Sequence, residues 1–286
     1  MIITRIKAGL GNQLFQYACG RAIALRNGDI LMLDIQEWAN HKHPPDPYGL
    51  GHFNIEENIA SDKQITELRY PHRNYSRLHE KIRTKIGLFN VGYVPRVMKR
   101  KGDCYLDGYW QTEKYFLDKS DFIRKEFTLK NTMTEESRDV LHKILSEKIS
   151  VSLHVRKGQI AEMGMKHTFY GISTNEYFSR AVDHIANMIG CEFHLFVFSD
   201  DIDIAKKEMI IKKYPVTFVS SPAIPDYEEL ILMSRCQHNI IANSTFSWWG
   251  AWLNQNPNKI IIAPKLWTRK GNYVFRNIIP KSWIRI

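Results

Sequence analysis

His154 and Arg156 stand two positions apart at the end of an apolar run, Ile149 to His154. If that run is a buried strand, both side chains leave on one face. Arginine carries a planar fork of N–H donors that matches two phosphate oxygens, so the pair is a candidate anion site. A basic strand end facing solvent explains it equally well. A second candidate is Asn243-Ser244-Thr245-Phe246-Ser247, which offers hydroxyls and free N–H groups where a helix begins. An ordinary N-cap accounts for the same residues. The third is the turn Ala8-Gly9-Leu10-Gly11-Asn12. Gly9 and Gly11 would let backbone N–H groups approach a phosphate. Leu14, however, occupies the last position of the G-x-G-x-x-G pattern, and a tight strand-to-helix turn also uses glycines. Asp200 and Asp201 adjoin without a spacer. They match the converging carboxylates of a divalent-metal site only loosely, and they read also as acceptors toward a nucleotide, partners of a basic residue, or the cap of the next helix. His41, His43 and His167 lack metal-ligand spacing and read as surface residues.

These residues need a frame to hold them. Ile2–Lys7 reads as a strand, Gln13–Arg26 as a helix capped by Asn12, and Ile30–Asp34 as a second strand. Residues 41–51, rich in His, Pro and Gly, read as loop. Helices are expected over Asp62–Leu68, Leu78–Ile86, Glu113–Glu126 and Glu135–Ser146. Beyond residue 149 the pattern alternates. Strands at Ile149–His154, Glu192–Phe198, Val216–Val219, Asn239–Ala242 and Lys259–Ile262 interleave with helices at Asn175–Met188, Ile202–Lys213, Tyr227–Arg235 and Phe246–Leu253. Such alternation implies a parallel sheet covered on both faces. Two α/β halves follow, residues 1–130 and 131–286, with the boundary inside 127–148. Ligands of open α/β sheets bind beyond the carboxyl ends of the strands, where Gly9 and Gly11, His154 to Gln159, Ser199 to Asp201 and Asn243 to Ser247 all fall. Trp248, Trp249 and Trp252 either pack the core or wall that crevice, with core packing assigned to at least one.

Composition narrows the class. The chain has 286 residues, 44% hydrophobic and 24% charged, which excludes long disorder. No apolar run approaches the roughly 20 residues that span a bilayer, and the N-terminus lacks the basic-then-apolar pattern of a signal peptide; a soluble or peripheral, cytoplasmic protein is expected. Cys19, Cys104, Cys191 and Cys236 are scattered, which suits free thiols better than a zinc site or disulfides. The net charge of +10 admits nucleic acid, an anionic membrane surface or an anionic substrate. No nucleic-acid module accompanies it. The densest basic stretch, Arg96 to Lys101, suits peripheral contact with a membrane leaflet.

Taken together the segments resemble the α-1,2-fucosyltransferase family of bacteria and animals (glycosyltransferase family 11). The resemblance rests on Ala8 to Ala18, Gly108-Tyr109-Trp110-Gln111-Thr112-Glu113-Lys114-Tyr115-Phe116, His154-Val155-Arg156, Phe198 to Asp201 and Asn243 to Leu253, in family order from residue 6 to about 263. It implies a GT-B-like pair of Rossmann-type domains with parallel sheets facing a cleft, the first on the acceptor side and the second binding the nucleotide sugar. It implies transfer of L-fucose from GDP-β-L-fucose to the 2-hydroxyl of a galactoside in a surface glycan, with inversion and without metal or other cofactor. Arg156 would bind the donor's β-phosphate and His154 would sit near the nucleotide. The backbone of Gly9 to Asn12 and the hydroxyls of Ser244, Thr245 and Ser247, with Asn243 and Phe246 in the same motif, would hold the pyrophosphate. Asp200 and Glu229 would contact the ribose or guanine. A lipid-linked acceptor at the inner face of the plasma membrane fits the same family.

Two departures stand out. Ala8 replaces a family glycine, a minor change if its φ is negative. Lys157-Gly158-Gln159 replaces the usual R-G-D continuation, so an amide stands where the family has a carboxylate, with Glu162 nearby in sequence. No residue is singled out as the base. Another GDP-linked deoxy-sugar such as colitose, or a non-catalytic glycan- or nucleotide-binding role, fits the same residues.

Overall fold

The structure is a computed structural model that describes residues 1–39, 46–69, 92–156, 172–208, 213–269, 275 and 277–286. The helix expected over Leu78–Ile86, the loop histidines His41, His43 and His167, and the stretch carrying Gln159 and Glu162 lie outside the described residues. The chain divides into two compact units, Met1–Lys130 with Val274–Pro280, and Asn131–Tyr273 with Lys281–Ile286. The return of Val274–Pro280 to the first unit departs from a single cut at residue 130. Its cause is local: the Thr112 hydroxyl donates to the Asn277 carbonyl at 2.7 Å and Lys114 Nζ to Asn277 Oδ1 at 2.9 Å.

In the first unit, β1 (Ile2–Arg5), α1 (Leu10–Asn27) and β2 (Leu31–Asp34) form a βαβ unit. The short α2 (Gln36–Ala39) and α3 (Asp62–Arg69) precede β3 (Cys104–Leu106). The parallel sheet runs β2-β1-β3. β3 has three residues, too short for a periodicity to register, and its partner across the sheet makes it a strand. α1 starts ahead of the expected Gln13. Gly9 is its N-cap, and the N–H groups of Asn12 and Gln13 both donate to Gly9 O, at 2.8 and 3.2 Å. Asn12 is therefore in the first turn and does not cap it. The stretch Glu113–Glu126 is not one helix either. Two single 3₁₀ turns, Glu113–Tyr115 and Leu117–Lys119, lead into α4 (Ser120–Glu126), because Phe116 between them, at φ −136° and ψ 8°, leaves the helical range.

The second unit contains α5 (Glu135–Ser146), β4 (Ser150–Val155), α6 (Asn175–Ile189), β5 (His194–Ser199), α7 (Ile202–Glu208), β6 (Val216–Phe218), α8 (Asp226–Arg235), β7 (His238–Ile240), α9 (Thr245–Leu253), β8 (Ile261–Ala263) and β9 (Ile284–Arg285). Every pairing is parallel, and the sheet order is β6-β5-β4-β7-β8-β9. Counted within this unit, that is the 3-2-1-4-5-6 order of a dinucleotide-binding sheet, whose direction of winding reverses between its first and fourth strands. β4 and β5 are buried along their whole length, as helices on both faces require. Trp248, Trp249 and Trp252 are all core: they are 0%, 0% and 3% exposed and pack on one another and on Trp283. Among the described residues no helix is long and apolar enough to cross a membrane.

Candidate functional site

The reversal in the second sheet falls between β4 and β7, paired through Val151 with His238 and Leu153 with Ile240. A crevice opens beyond the carboxyl ends of two strands that diverge in this way. The residues that leave those two ends are His154 to Arg156 and Asn243 to Ser247. They meet directly: Arg156 Nη1 donates to Ser244 Oγ at 3.1 Å.

That contact decides how Ser244 is used. Ser244 occupies the N-cap position of α9, yet its side chain makes no capping hydrogen bond. The first-turn N–H groups of a helix have no intrahelical acceptor, so the start of α9 keeps donors and positive dipole for another partner. A half-buried arginine and an uncapped helix start joined by one hydroxyl are chemically suited to receive an anion. Thr245 and Phe246 on that first turn are half-buried, and Ser247 is buried with its hydroxyl donating to Ser244 O at 3.3 Å.

The turn before α9 is braced from within. The Ser173 hydroxyl donates to Asn243 Oδ1 at 2.8 Å and accepts from Asn243 N–H at 3.1 Å, and Asn243 Nδ2 donates to Trp267 O at 3.3 Å. Asn243 is 5% exposed; its carboxamide holds the turn in place. Below it, Asn239 Nδ2 donates to Ser152 Oγ at 2.7 Å, tying β7 to β4 under the site.

His154 lies beneath the same surface, 4% exposed, its ring 5.7 Å from that of Phe246. Burial lowers its pKa to about 4; the Asp200 carboxylate opposes the shift and the Arg156 cation adds to it. The imidazole is neutral at pH 7, and its Nδ1 is buried without a hydrogen-bond partner. Asp200 is exposed at the end of β5. The cap of α7 is Asp201, whose Oδ1 accepts from Ile204 N–H at 2.9 Å, while the charge of the neighbouring Asp200 is felt at His154. Ser199 N–H donates to Ser220 Oγ at 2.9 Å, and Ser220 also bonds to Glu229 on α8. Burial pushes the Glu229 carboxyl up to about 8, Ser220 opposing and Asp226 reinforcing. The structure thus brings His154, Arg156, Asp200, Ser244 and Phe246 together, with Glu229 two hydrogen bonds, through Ser220, from the end of β5.

Gly9, Gly11 and Asn12 belong to the first unit, at the carboxyl end of β1. Here Ala8 has φ 61°. The condition that would have made its replacement of a glycine minor, a negative φ, is not met: the left-handed region costs an L-residue roughly 1–2 kcal/mol. Beside it, Asp107 bonds to Lys7 Nζ at 2.7 Å and Arg5 Nη1 at 3.2 Å. Burial opposes ionisation of Asp107, but Lys7, Arg5 and Arg69 together hold its pKa below the ordinary value. Asp107 and Gln111 carry no signal of their own in the sequence. They become visible only when β3 is placed beside β1. Among the described residues no group of three or more His, Cys, Asp or Glu is placed to hold a metal ion.

Against this geometry the comparisons with known proteins are consistent. The model of the family described as Glycosyl transferase family 11 matches residues 4–286. The chain is 29% identical to an Escherichia coli protein named alpha-1,2-colitosyltransferase, over 100% of this chain and 99% of the relative. It is also 29% identical to the E. coli O-antigen biosynthesis glycosyltransferase WbnK, over 98% of this chain and 99% of that one. Among solved structures, fucosyltransferase NodZ from Bradyrhizobium superposes with a TM-score of 0.53 at 15% identity, covering 87% of this chain and 91% of NodZ. That likeness supports the GT-B-like, two-domain α/β fold.

Proposed function

Since the chain belongs to glycosyl transferase family 11, we propose that it moves a 6-deoxy sugar, L-fucose, from its GDP-β-linked donor to the 2-hydroxyl of a galactoside, with inversion at the anomeric carbon and without a metal. The observation that carries this reading is the Arg156–Ser244 contact at the start of α9. Breaking the sugar–phosphate bond leaves growing negative charge on the departing phosphate while the sugar becomes cationic. A fixed guanidinium and helix N–H donors stabilise that charge without reorganising. Neutral His154 beneath them adds no competing cation, and Asp200 and Glu229 serve the nucleoside. The first unit supplies the acceptor side.

A second donor has a specific observation in its favour: a relative matching over the full chain is named a colitosyltransferase. Colitose lacks the 3-hydroxyl of fucose. Competition between GDP-fucose and GDP-colitose for one galactoside acceptor separates the two; a clear preference for GDP-colitose overturns the fucose assignment and leaves the phosphate chemistry intact.

For the setting we propose peripheral contact with the cytoplasmic leaflet, where a lipid-linked O-antigen acceptor would be presented. Support comes from the exposed Arg96, Lys99, Arg100 and Lys101 and from the O-antigen role in a relative's name. Salt-sensitive sedimentation with anionic but not neutral vesicles checks it; equal behaviour with both contradicts it.

A further inference from the structure

Asn12, in the first turn of α1, is half-buried, and its side-chain oxygen is already occupied: Gln111 Nε2 donates to Asn12 Oδ1 at 2.7 Å, across 99 residues of chain. The contact fixes which way the Asn12 carboxamide faces. With Oδ1 held by Gln111, the NH₂ group points away as a donor. Gln111 is itself 8% exposed, and its Oε1 is buried without a hydrogen-bond partner. Its donor end is thus used on Asn12 while its acceptor end is left without a partner.

The backbone delivering Gln111 is held under strain. Trp110 has φ 52°, a region that bulky L-residues rarely occupy, and its Nε1 is also buried without a partner. The turn is closed by Thr112 N–H to Trp110 O at 2.8 Å and anchored by Thr112 Oγ1 to Asn277 O at 2.7 Å. Among the described residues the non-glycine positions with positive φ are Ala8 and Trp110. They follow β1 and β3 by the same interval, since Thr4 and Leu106 are register partners. Strain of this kind persists where the surroundings over-determine it, and it gathers at ligand sites.

We infer that Gln111 is a positioning residue: it orients Asn12 so that the carboxamide N–H, beside the N-terminus of α1, donates to an oxygen of the substrate. That oxygen is either a phosphoryl oxygen of the nucleotide or a hydroxyl of the galactoside. The inference rests on the proposed function for its choice of ligands and on the Gln111–Asn12 bond for its substance.

The test compares Gln111→Ala with Gln111→Glu. Alanine frees Asn12 to rotate. Glutamate has no donor, so it draws the Asn12 NH₂ toward itself and turns Oδ1 to the ligand. GDP affinity by calorimetry and the KM for methyl β-galactoside are measured for each. Gln111→Glu is expected to weaken one of them by at least about tenfold, more than Gln111→Ala does, and a change in GDP affinity or in galactoside KM says which oxygen is bound. Asn12→Asp, which also lacks the donor, is expected to reproduce the loss. In an Asn12→Ala background Gln111→Glu is expected to have no further effect, whereas simple repulsion by the new carboxylate would persist. Equal losses in the two Gln111 variants, or an unchanged Gln111→Glu effect in that background, overturn the positioning role and leave the proposed function standing. The expected pattern in GDP affinity, with no sugar transfer by the wild type, does the reverse.

Discussion

Arg156 and Ser244 lie 88 residues apart in sequence and are joined by a 3.1 Å hydrogen bond at the point where the second sheet reverses direction. The serine sits where an N-cap would and does not cap. One contact therefore links a delocalised cation to an open helix start, and the proposed leaving-group stabilisation depends on both.

Replacing Arg156 by lysine keeps the charge and removes the fork. A point charge on a flexible stem does not reproduce two-point phosphate contact, so kcat is expected to fall by about 10²- to 10³-fold. Ser244→Ala, which removes only the tether, is expected to cost less. Steady-state kinetics check both; near-normal turnover by the lysine variant contradicts the role given to Arg156.

Glu229 and His154 predict opposite pH slopes in stability. Glu229 has a pKa raised from 4.5 to about 8, so between those values the folded state keeps a proton that the unfolded state has lost. Stability then falls as pH rises through that window, and Glu229→Gln should abolish the slope. His154 is lowered from 6.5 to about 4; here the unfolded state takes the proton first, and stability falls as pH drops from 6.5 to 4. His154→Gln should flatten that limb. Melting temperatures from pH 4 to 9 decide, and a slope unaltered in either variant refutes the corresponding assignment.

Ala8→Gly should stabilise the first unit. Relief of the left-handed strain exceeds the added unfolded-state freedom of glycine, for a gain of about 1 kcal/mol or less. Urea denaturation measures it, and a loss of stability would show that Ala8 does not hold φ 61° in solution.

Gly250 lets α9 press against α8. A Cβ there would meet Met233 Cβ at 2.9 Å, and that atom is the fixed root of its side chain. Gly250→Ala is expected to destabilise by about 1–3 kcal/mol despite alanine's better helix propensity, and to weaken GDP binding by displacing the start of α9. Stability at or above wild type would mean the two helices have room to part.

Most of the second unit was legible in sequence because its central strands are fully buried and helices such as Asn175–Ile189 carry a clear apolar stripe. Ser150–Val155 and His194–Ser199 read as apolar runs, and Glu135–Ser146 was bounded to the residue. The candidate anion-binding residues were legible for the same reason, since they sit at the ends of those strands. Gln111 was not. It appeared inside a family-like motif, but its bond to Asn12 depends on β3, three residues long, lying beside β1. Asn before a periodic run is an N-cap signal, but the helix begins earlier, at the Gly9 carbonyl, and Asn12 falls inside its first turn. Which aspartate is felt at His154 and which caps α7 rested on a backbone turn at Ser199 to Asp201 that adjacent identical residues cannot reveal.

The most direct measurement is product formation by the purified protein from GDP-fucose and a panel of β-galactosides, with and without EDTA, followed by mass and by the position of the new linkage. The account predicts a product one deoxyhexose heavier, linked at the galactose 2-hydroxyl, formed equally well in EDTA and accompanied by one GDP. Strict dependence on a divalent ion, a linkage at another hydroxyl, or GDP binding without transfer to any acceptor from either GDP-fucose or GDP-colitose would contradict it.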